Sequence, residues 1–246
     1  MRSDTLSRRA ALALGAALTL TALPALAQDG AGKIRIGVIG GGNIGGTIGG
    51  LWVKDGHEVM FASRHPENLK PLVDELGPKA KAGTPEQAIQ FADAVFLAVP
   101  YKAYPDLSKE IGPLLKGKVV LDAGNATERR DGALFAEAQK DGIGLTSAKY
   151  FPGAKLVRAF NAANYKIFAK AGANGGQDRA GGRMGIPIAG DDPQALKVAE
   201  GLVRDAGFDP VVVGSLKDAD KFAMGTPGFG HDVTAPELKE KLGLAK

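Results

Sequence analysis

Three glycines are the residues best placed to do chemistry. Gly40, Gly42 and Gly45 stand in the spacing G-x-G-x-x-G. An apolar run, Ile34 to Ile39, precedes them and reads as a short buried strand. A helix-like pattern through Ile44, Ile48, Leu51 and Trp52 follows. Each glycine has its own mechanical reason: Gly40 for a tight turn, Gly42 to let a pyrophosphate reach the backbone, and Gly45 to let helix and strand pack closely. Asn43, Ile44 and Gly45 would then open a helix whose free N–H groups and positive dipole end attract phosphate oxygens. The plainer alternative is a glycine-rich turn without a ligand, in a chain with 35 glycines. The flanking strand, helix and second strand weigh against it.

The second strand, Glu58 to Ala62, ends in Ser63-Arg64-His65. A carboxylate at this point would accept a hydrogen bond from a ribose hydroxyl. A small hydroxyl and a guanidinium suit a ribose 2′-phosphate instead, as donor and bidentate cation. Ser63 and Arg64 therefore select NADP(H) over NAD(H), the alternative being an ordinary polar strand end. His57 and His65 read as surface residues.

These residues need a scaffold, and the chain alternates strand and helix. A helix runs from Pro66 to Leu76, a short strand from Lys79 to Ala82, and a helix to about Phe91 opened by the capping pattern Thr84-Pro-Glu-Gln87. Ala94 to Val99 is uninterrupted apolar, as a central parallel strand is. A helix from Tyr104 to Leu115 follows, then strands at Val119–Ala123 and Leu156–Phe160, a helix from Tyr165 to Ala169, and a strand from Met184 to Ala189. A helix capped at Asp191-Asp192-Pro193 and a last strand, Pro210 to Val213, complete the pattern. This is an α/β fold, a Rossmann-type doubly wound and mainly parallel sheet in one domain over residues 33–215. A C-terminal tail, 216–246, carries a short helix opened by Thr234-Ala-Pro-Glu237. Ligands of such sheets lie at the carboxyl ends of the strands. That places Val99, Pro100, Tyr101, Asn125 and Asn161 beside the nucleotide, with Tyr101 reading equally as a core-edge aromatic and Asn125 as a cap. The Gly172 to Gly182 stretch reads as a mobile loop, either over an active site or passive on the surface.

Composition narrows the rest. The 246 residues are 44% hydrophobic, enough for one substantial core. The absence of cysteine excludes disulfides, thiolate metal sites and cysteine nucleophiles. Three dispersed histidines give no metal-ligand spacing. A net charge of +4 spread along the chain, with no basic run interleaved with aromatics, argues against nucleic acid as a partner. Ser7-Arg8-Arg9, an apolar stretch to about Leu23 and Ala25-Leu26-Ala27 read as an export signal over residues 1–27. The paired arginines suggest the twin-arginine route and a periplasmic destination, with cleavage after Ala27 and no membrane span afterwards. An uncleaved N-terminal anchor is the alternative.

Together these motifs resemble the coenzyme F420-dependent NADP oxidoreductases. The resemblance is carried by Gly37-Val-Ile-Gly-Gly-Gly-Asn-Ile-Gly45, Gly56-His-Glu-Val59, Ser63-Arg64, Leu97-Ala-Val-Pro100, Asp122-Ala-Gly-Asn125, Val157-Arg-Ala-Phe-Asn161, Ile188-Ala-Gly-Asp-Asp192 and Gly207-Phe-Asp-Pro210. The chain is also similar to the NADPH domain of six-transmembrane metalloreductases and the N-terminal domain of pyrroline-5-carboxylate reductases. It lacks the dimerising helical domain of the last group, which argues against proline synthesis. The resemblance implies hydride transfer between NADPH and a flavin or deazaflavin (F420-like) acceptor, which needs no catalytic acid–base residue. Ferric or cupric reduction, and a non-catalytic NADP-binding module serving a redox partner, remain open. So does the dehydrogenation of a small carbonyl compound, for which Tyr101 and Lys102 are the near candidates. The expected partner is a small-molecule redox acceptor, with a homodimer also open.

Overall fold

The structure, a computed structural model, describes residues 32–244. The expected export signal over residues 1–27 lies outside the described residues. The first half of the domain runs β1 (Arg35–Ile39), α1 (Asn43–Asp55), β2 (Glu58–Ala62), α2 (Lys70–Leu76), β3 (Ala80–Gly83), α3 (Pro85–Phe91) and β4 (Ala94–Leu97). The second half runs α4 (Tyr104–Leu115), β5 (Val119–Asp122), α5 (Glu128–Asp131), α6 (Ala133–Asp141), α7 (Ile143–Tyr150), β6 (Lys155–Arg158), α8 (Tyr165–Ala171), β7 (Gly185–Gly190), α9 (Pro193–Asp205), β8 (Asp209–Gly214) and α10 (Ala235–Lys241).

The strands form one eight-stranded sheet in the order β3-β2-β1-β4-β5-β6-β7-β8. The chain winds outward from β1 in one direction, then crosses to β4 and winds in the other. The reversal between β1 and β4 opens the crevice in which a doubly wound sheet takes its ligand. β1 to β6 are parallel. β7 pairs with β6 antiparallel, and β8 runs parallel to β7. The mainly parallel sheet expected from strand–helix alternation is in place, and its one antiparallel pairing, β6 with β7, falls where α8 and the glycine-rich segment bring the chain back in the opposite sense.

Apolar residues fill both faces of the sheet. On the α1 face, Trp52, Phe96, Phe160, Phe168 and Phe208 meet edge to face, with ring centroids 5.3–5.9 Å apart. The buried indole of Trp52 donates to the Leu202 carbonyl at 2.7 Å, which ties α1 to α9. On the other face Tyr101, Tyr104, Ile111, Leu115 and Phe151 pack under α3, α4 and α7. The capping patterns read from the sequence are in place. Thr84 and Gln87 bond reciprocally at α3, Asp192 accepts from Ala195 at 2.8 Å at α9, and Thr234 with Glu237 opens α10. The C-terminal tail packs on the sheet, with Phe222 and Leu238 buried and the Gly185 N–H donating to the Val233 carbonyl at 2.9 Å.

One local reading is corrected, and a second, left open between two alternatives, is decided. His57 is not a surface residue but is 2% exposed, with Nε2 2.8 Å from the Asp205 carboxylate and Nδ1 against the backbone of Ile34. Lys33 joins the same cluster through Asp55 and Asp205. Burial alone would raise the Asp205 carboxyl, yet the hydrogen bond from His57 and the charges of Lys33 and His57 hold it below the ordinary range. The Gly172–Gly182 segment does not cover the crevice. Gly172 backs onto Leu51 of α1 and onto Ala206, Gly176 backs onto Gly207, and Arg179 pairs with Asp232.

Candidate nucleotide-binding site

The glycine turn follows β1, and at Gly40 and Gly45 its geometry admits nothing larger. Gly40 has φ +103°, and a Cβ there would lie 2.6 Å from the Ala98 carbonyl oxygen. A Cβ on Gly45 would lie 1.9 Å from the Gly40 carbonyl oxygen, so the first turn of α1 sits directly on the loop. A Cβ on Gly42 would meet nothing within 4 Å, because this residue faces open space. Gly42 is the N-cap of α1 and supplies no side-chain cap, so the first N–H groups, from Asn43, Ile44 and Gly45, are left to an external acceptor. Asn43 is exposed and Ile44 half-buried, while Gly45 is buried beneath the loop.

One cleft gathers Gly40, Gly41, Gly42, Ser63, Arg64, Val99 and Pro100. Parallel register brings them together, since Ile39 pairs with Ala62 on one side and with Leu97 on the other. Arg64 is exposed, and among the described residues it forms no ion pair. Ser63 is half-buried, and its hydroxyl accepts from the His65 N–H at 3.1 Å. His65 is exposed and close to Glu67. Asp106 and Glu110 of α4 line the opposite wall.

The same register carries the site across the switch point. Leu97 pairs with Asp122, and Asp122 with Arg158. Pro100, Asn125 and Asn161 each lie three residues beyond these paired positions, which aligns them along the carboxyl edge. Asn125 Nδ2 donates to the Asn161 carbonyl at 2.7 Å. Asn161 is 2% exposed, follows Phe160 at φ +58°, and its Oδ1 has no hydrogen-bond partner. A left-handed aromatic residue and an orphaned amide oxygen at one strand end are the kind of strain that collects at binding sites. Asn125 also lines a second cavity, with Phe135, Ile143 and Met224 beside the polar Thr127, Glu128 and Asp220. The helices α6 and α7 that wall this cavity were not legible in the sequence, where Gly132 and Gly142 interrupt every helical run.

Tyr101 is a correction. Its ring is fully buried, stacked on Tyr104 at 4.3 Å, and its hydroxyl lies 3.2 Å from Ser147 Oγ. Burial raises its phenol well above the ordinary value. The side chain points into the core because Tyr101 and Tyr104 share one face of a helical turn. Lys102 is exposed, with its backbone N–H on the Asp131 carboxylate at 2.9 Å.

A Rossmann-type sheet with this glycine turn defines a dinucleotide-binding protein. Residues 35–126 match the family model described as NADP oxidoreductase, coenzyme F420-dependent. Among curated proteins, the chain is 29% identical over 185 residues to the metalloreductase STEAP3 of Rattus norvegicus, covering 75% of this chain and 35% of that protein. It is 26% identical over 188 residues to the human metalloreductase STEAP2, covering 76% and 34%. The chain thus spans about a third of the length of these relatives. Among solved structures, a hypothetical protein from Sinorhizobium meliloti superposes with a TM-score of 0.70 at 27% identity, over 81% of this chain and 95% of that one. A putative F420-dependent NADP-reductase from Arthrobacter sp. superposes at 0.65 with 23% identity, over 81% and 99%, a likeness of fold.

The residues present fit a dinucleotide. The open face of Gly42 and the guanidinium of Arg64, which forms no ion pair among the described residues, each offer a contact that the protein itself does not use. The Asp55–His57–Asp205 group is the metal-like cluster among the described residues, and Lys33 already sits between its carboxylates. Among the described residues, no helix is long and apolar enough to cross a membrane.

Proposed function

We propose that this chain is an NADP(H)-dependent oxidoreductase that moves hydride between the nicotinamide and a flavin or deazaflavin ring. The observation that carries the reading is the single cleft shared by the glycine turn, Ser63 and the unpaired Arg64. In this reading Gly40 to Gly45 hold the pyrophosphate, Ser63 and Arg64 the 2′-phosphate, and Val99, Pro100, Asn125 and Asn161 the nicotinamide end. The cofactor supplies the hydride chemistry when bound. The chain binds, orients and excludes water, which is most of what transfer between stacked rings requires. In this reading the cavity beside Asn125, with Phe135, Ile143 and Met224 in its wall, takes the aromatic acceptor against that end. A small-carbonyl dehydrogenase fits less well, because the buried Tyr101 phenol is turned away from the cleft and is a poor acid.

Metal reduction is the second reading, and it is favoured by the two relatives named metalloreductases, each matched over about three quarters of this chain. The deciding experiment is NADPH and NADH binding side by side on the protein from Gln28 onward, followed by turnover with F420, FMN and a ferric chelate. NADPH-selective binding with F420 or FMN turnover supports the first reading, and turnover with the chelate alone supports the second. Binding without turnover would make the chain an NADP-binding module, and no binding would end both enzyme readings. Export by the twin-arginine route belongs to the same proposal. Replacing Arg8 and Arg9 with lysine should strand the protein in the cytoplasm, and unchanged export would refute it.

A further inference from the structure

Asp122 and Arg158 face each other across β5 and β6, and both are fully buried. The Asp122 carboxylate accepts from Arg158 Nη1 at 2.5 Å through one oxygen. Through the other it accepts from the Tyr104 hydroxyl and, at 2.8 Å, from the Gly124 N–H. Arg158 Nη2 donates to the Gly124 carbonyl at 2.5 Å. The charged pair therefore grips both polar groups of the residue that precedes Asn125. The fit is steric as well, since a Cβ on Gly124 would lie 2.1 Å from the Tyr104 hydroxyl.

Stability does not account for this arrangement. A buried ion pair seldom recovers the cost of drying its charges, and well-packed apolar residues often serve as well or better. Arg158 Nε is even left without a partner. What apolar residues could not do is hold the N–H and C=O of Gly124 in one orientation.

We propose that Asp122 and Arg158 are positioning residues that fix the Gly124–Asn125 turn, and through it the edge where Asn125 and Asn161 meet the nicotinamide. The proposal rests on the nucleotide reading above. Neither residue touches the ligand. Affinity comes mainly from the phosphate end, at Gly42, Ser63 and Arg64, so loosening the clamp should slow hydride transfer while leaving binding nearly intact.

The test is the double variant Asp122→Asn/Arg158→Met, which removes both charges together, keeps the volume and leaves no charge unpaired. The melting temperature should stay within a few degrees of the parent. In the nucleotide-free protein, amide hydrogen exchange in peptides spanning 123–127 should accelerate about tenfold while those spanning 40–46 are unchanged. The NADPH Kd should move by no more than about threefold, and transfer from NADPH to F420 or FMN should fall about tenfold or more, as misplaced reacting groups do. Unchanged exchange at 123–127 overturns the clamp, whatever the nucleotide result. Collapse of the melting temperature shows a stability element instead, and faster exchange with an unchanged rate overturns the link to catalysis. Failure of the parent protein to bind NADPH refutes the nucleotide reading separately.

Discussion

Replacing Arg64 with alanine should separate the two nicotinamide cofactors. The guanidinium is exposed at the end of β2 and unpaired among the described residues, so the apo protein loses no contact when it is removed. Melting should be unaffected. A charged hydrogen bond is worth about 1.5–3 kcal/mol. Solvent screening at an exposed site places Arg64 near the bottom of that range, at about 1.5–2 kcal/mol. At about 1.4 kcal/mol per decade, NADPH should bind roughly 10- to 30-fold more weakly. NADH has no 2′-phosphate and should change by about twofold or less. Asp106 and Glu110 remain in the cleft and repel that phosphate once the cation is gone, which pushes the NADPH loss upward. Arg64→Lys keeps the charge but not the fork and should fall between. The assay is calorimetric titration with both cofactors at two salt concentrations, and the NADPH penalty should shrink at high salt. An equal loss for both cofactors would refute the assignment of Arg64, and so would no loss for either.

The glycine turn gives a matched pair of variants. Gly42→Ala should melt like the parent, because its Cβ meets nothing within 4 Å, yet bind NADPH more weakly because that Cβ fills the open face. Gly45→Ala should lower stability by about 1–3 kcal/mol through overpacking against the Gly40 carbonyl, read by chemical denaturation. Ser63→Ala should cost NADPH binding about 0.5–1.5 kcal/mol in the same titration, less than Arg64→Ala, since its hydroxyl, which accepts from the His65 N–H and keeps its own proton to donate, carries no charge. Asp205 predicts a pH signature. Its carboxyl is held below the unfolded value near 3.8, so its stabilising contribution is complete above that value and is lost as pH falls through the lower folded value. Asp205→Asn should therefore melt below the parent at pH 7, and the gap should close towards pH 3. A gap that is constant with pH would mean the His57–Asp205 contact contributes through shape alone.

The site was legible at one end and not at the other, and the reason is the range of the contacts that build each end. The phosphate end lies within 30 residues of chain. Gly40, Gly42 and Gly45 fall in one short pattern of fixed spacing, and Ser63 and Arg64 follow a strand that pairs directly with β1. A local pattern can state such requirements. The proposed nicotinamide end is assembled from β4, β5, β6 and the tail, and its residues are placed by partners far along the chain. Asn125 is placed by Asn161, Arg158 by Asp122, and the cavity by α6, α7 and Met224. His57 failed as a reading for the same reason. The residue that buries it, Asp205, is 148 positions away, and nothing beside Gly56 signals it. Tyr101 was open to either reading because the choice depends on Ser147, which lies on a helix the sequence pattern did not reveal. Arg158 is the sharpest instance. In the strand expected over Leu156–Phe160 it is a lone charge within an apolar run, and only the register of β5 beside β6 turns it into one half of a buried clamp. If that clamp holds, the division has a functional sense. Local sequence fixes which cofactor binds, long-range packing fixes how its reactive end is presented, and variants at the two ends should separate affinity from rate.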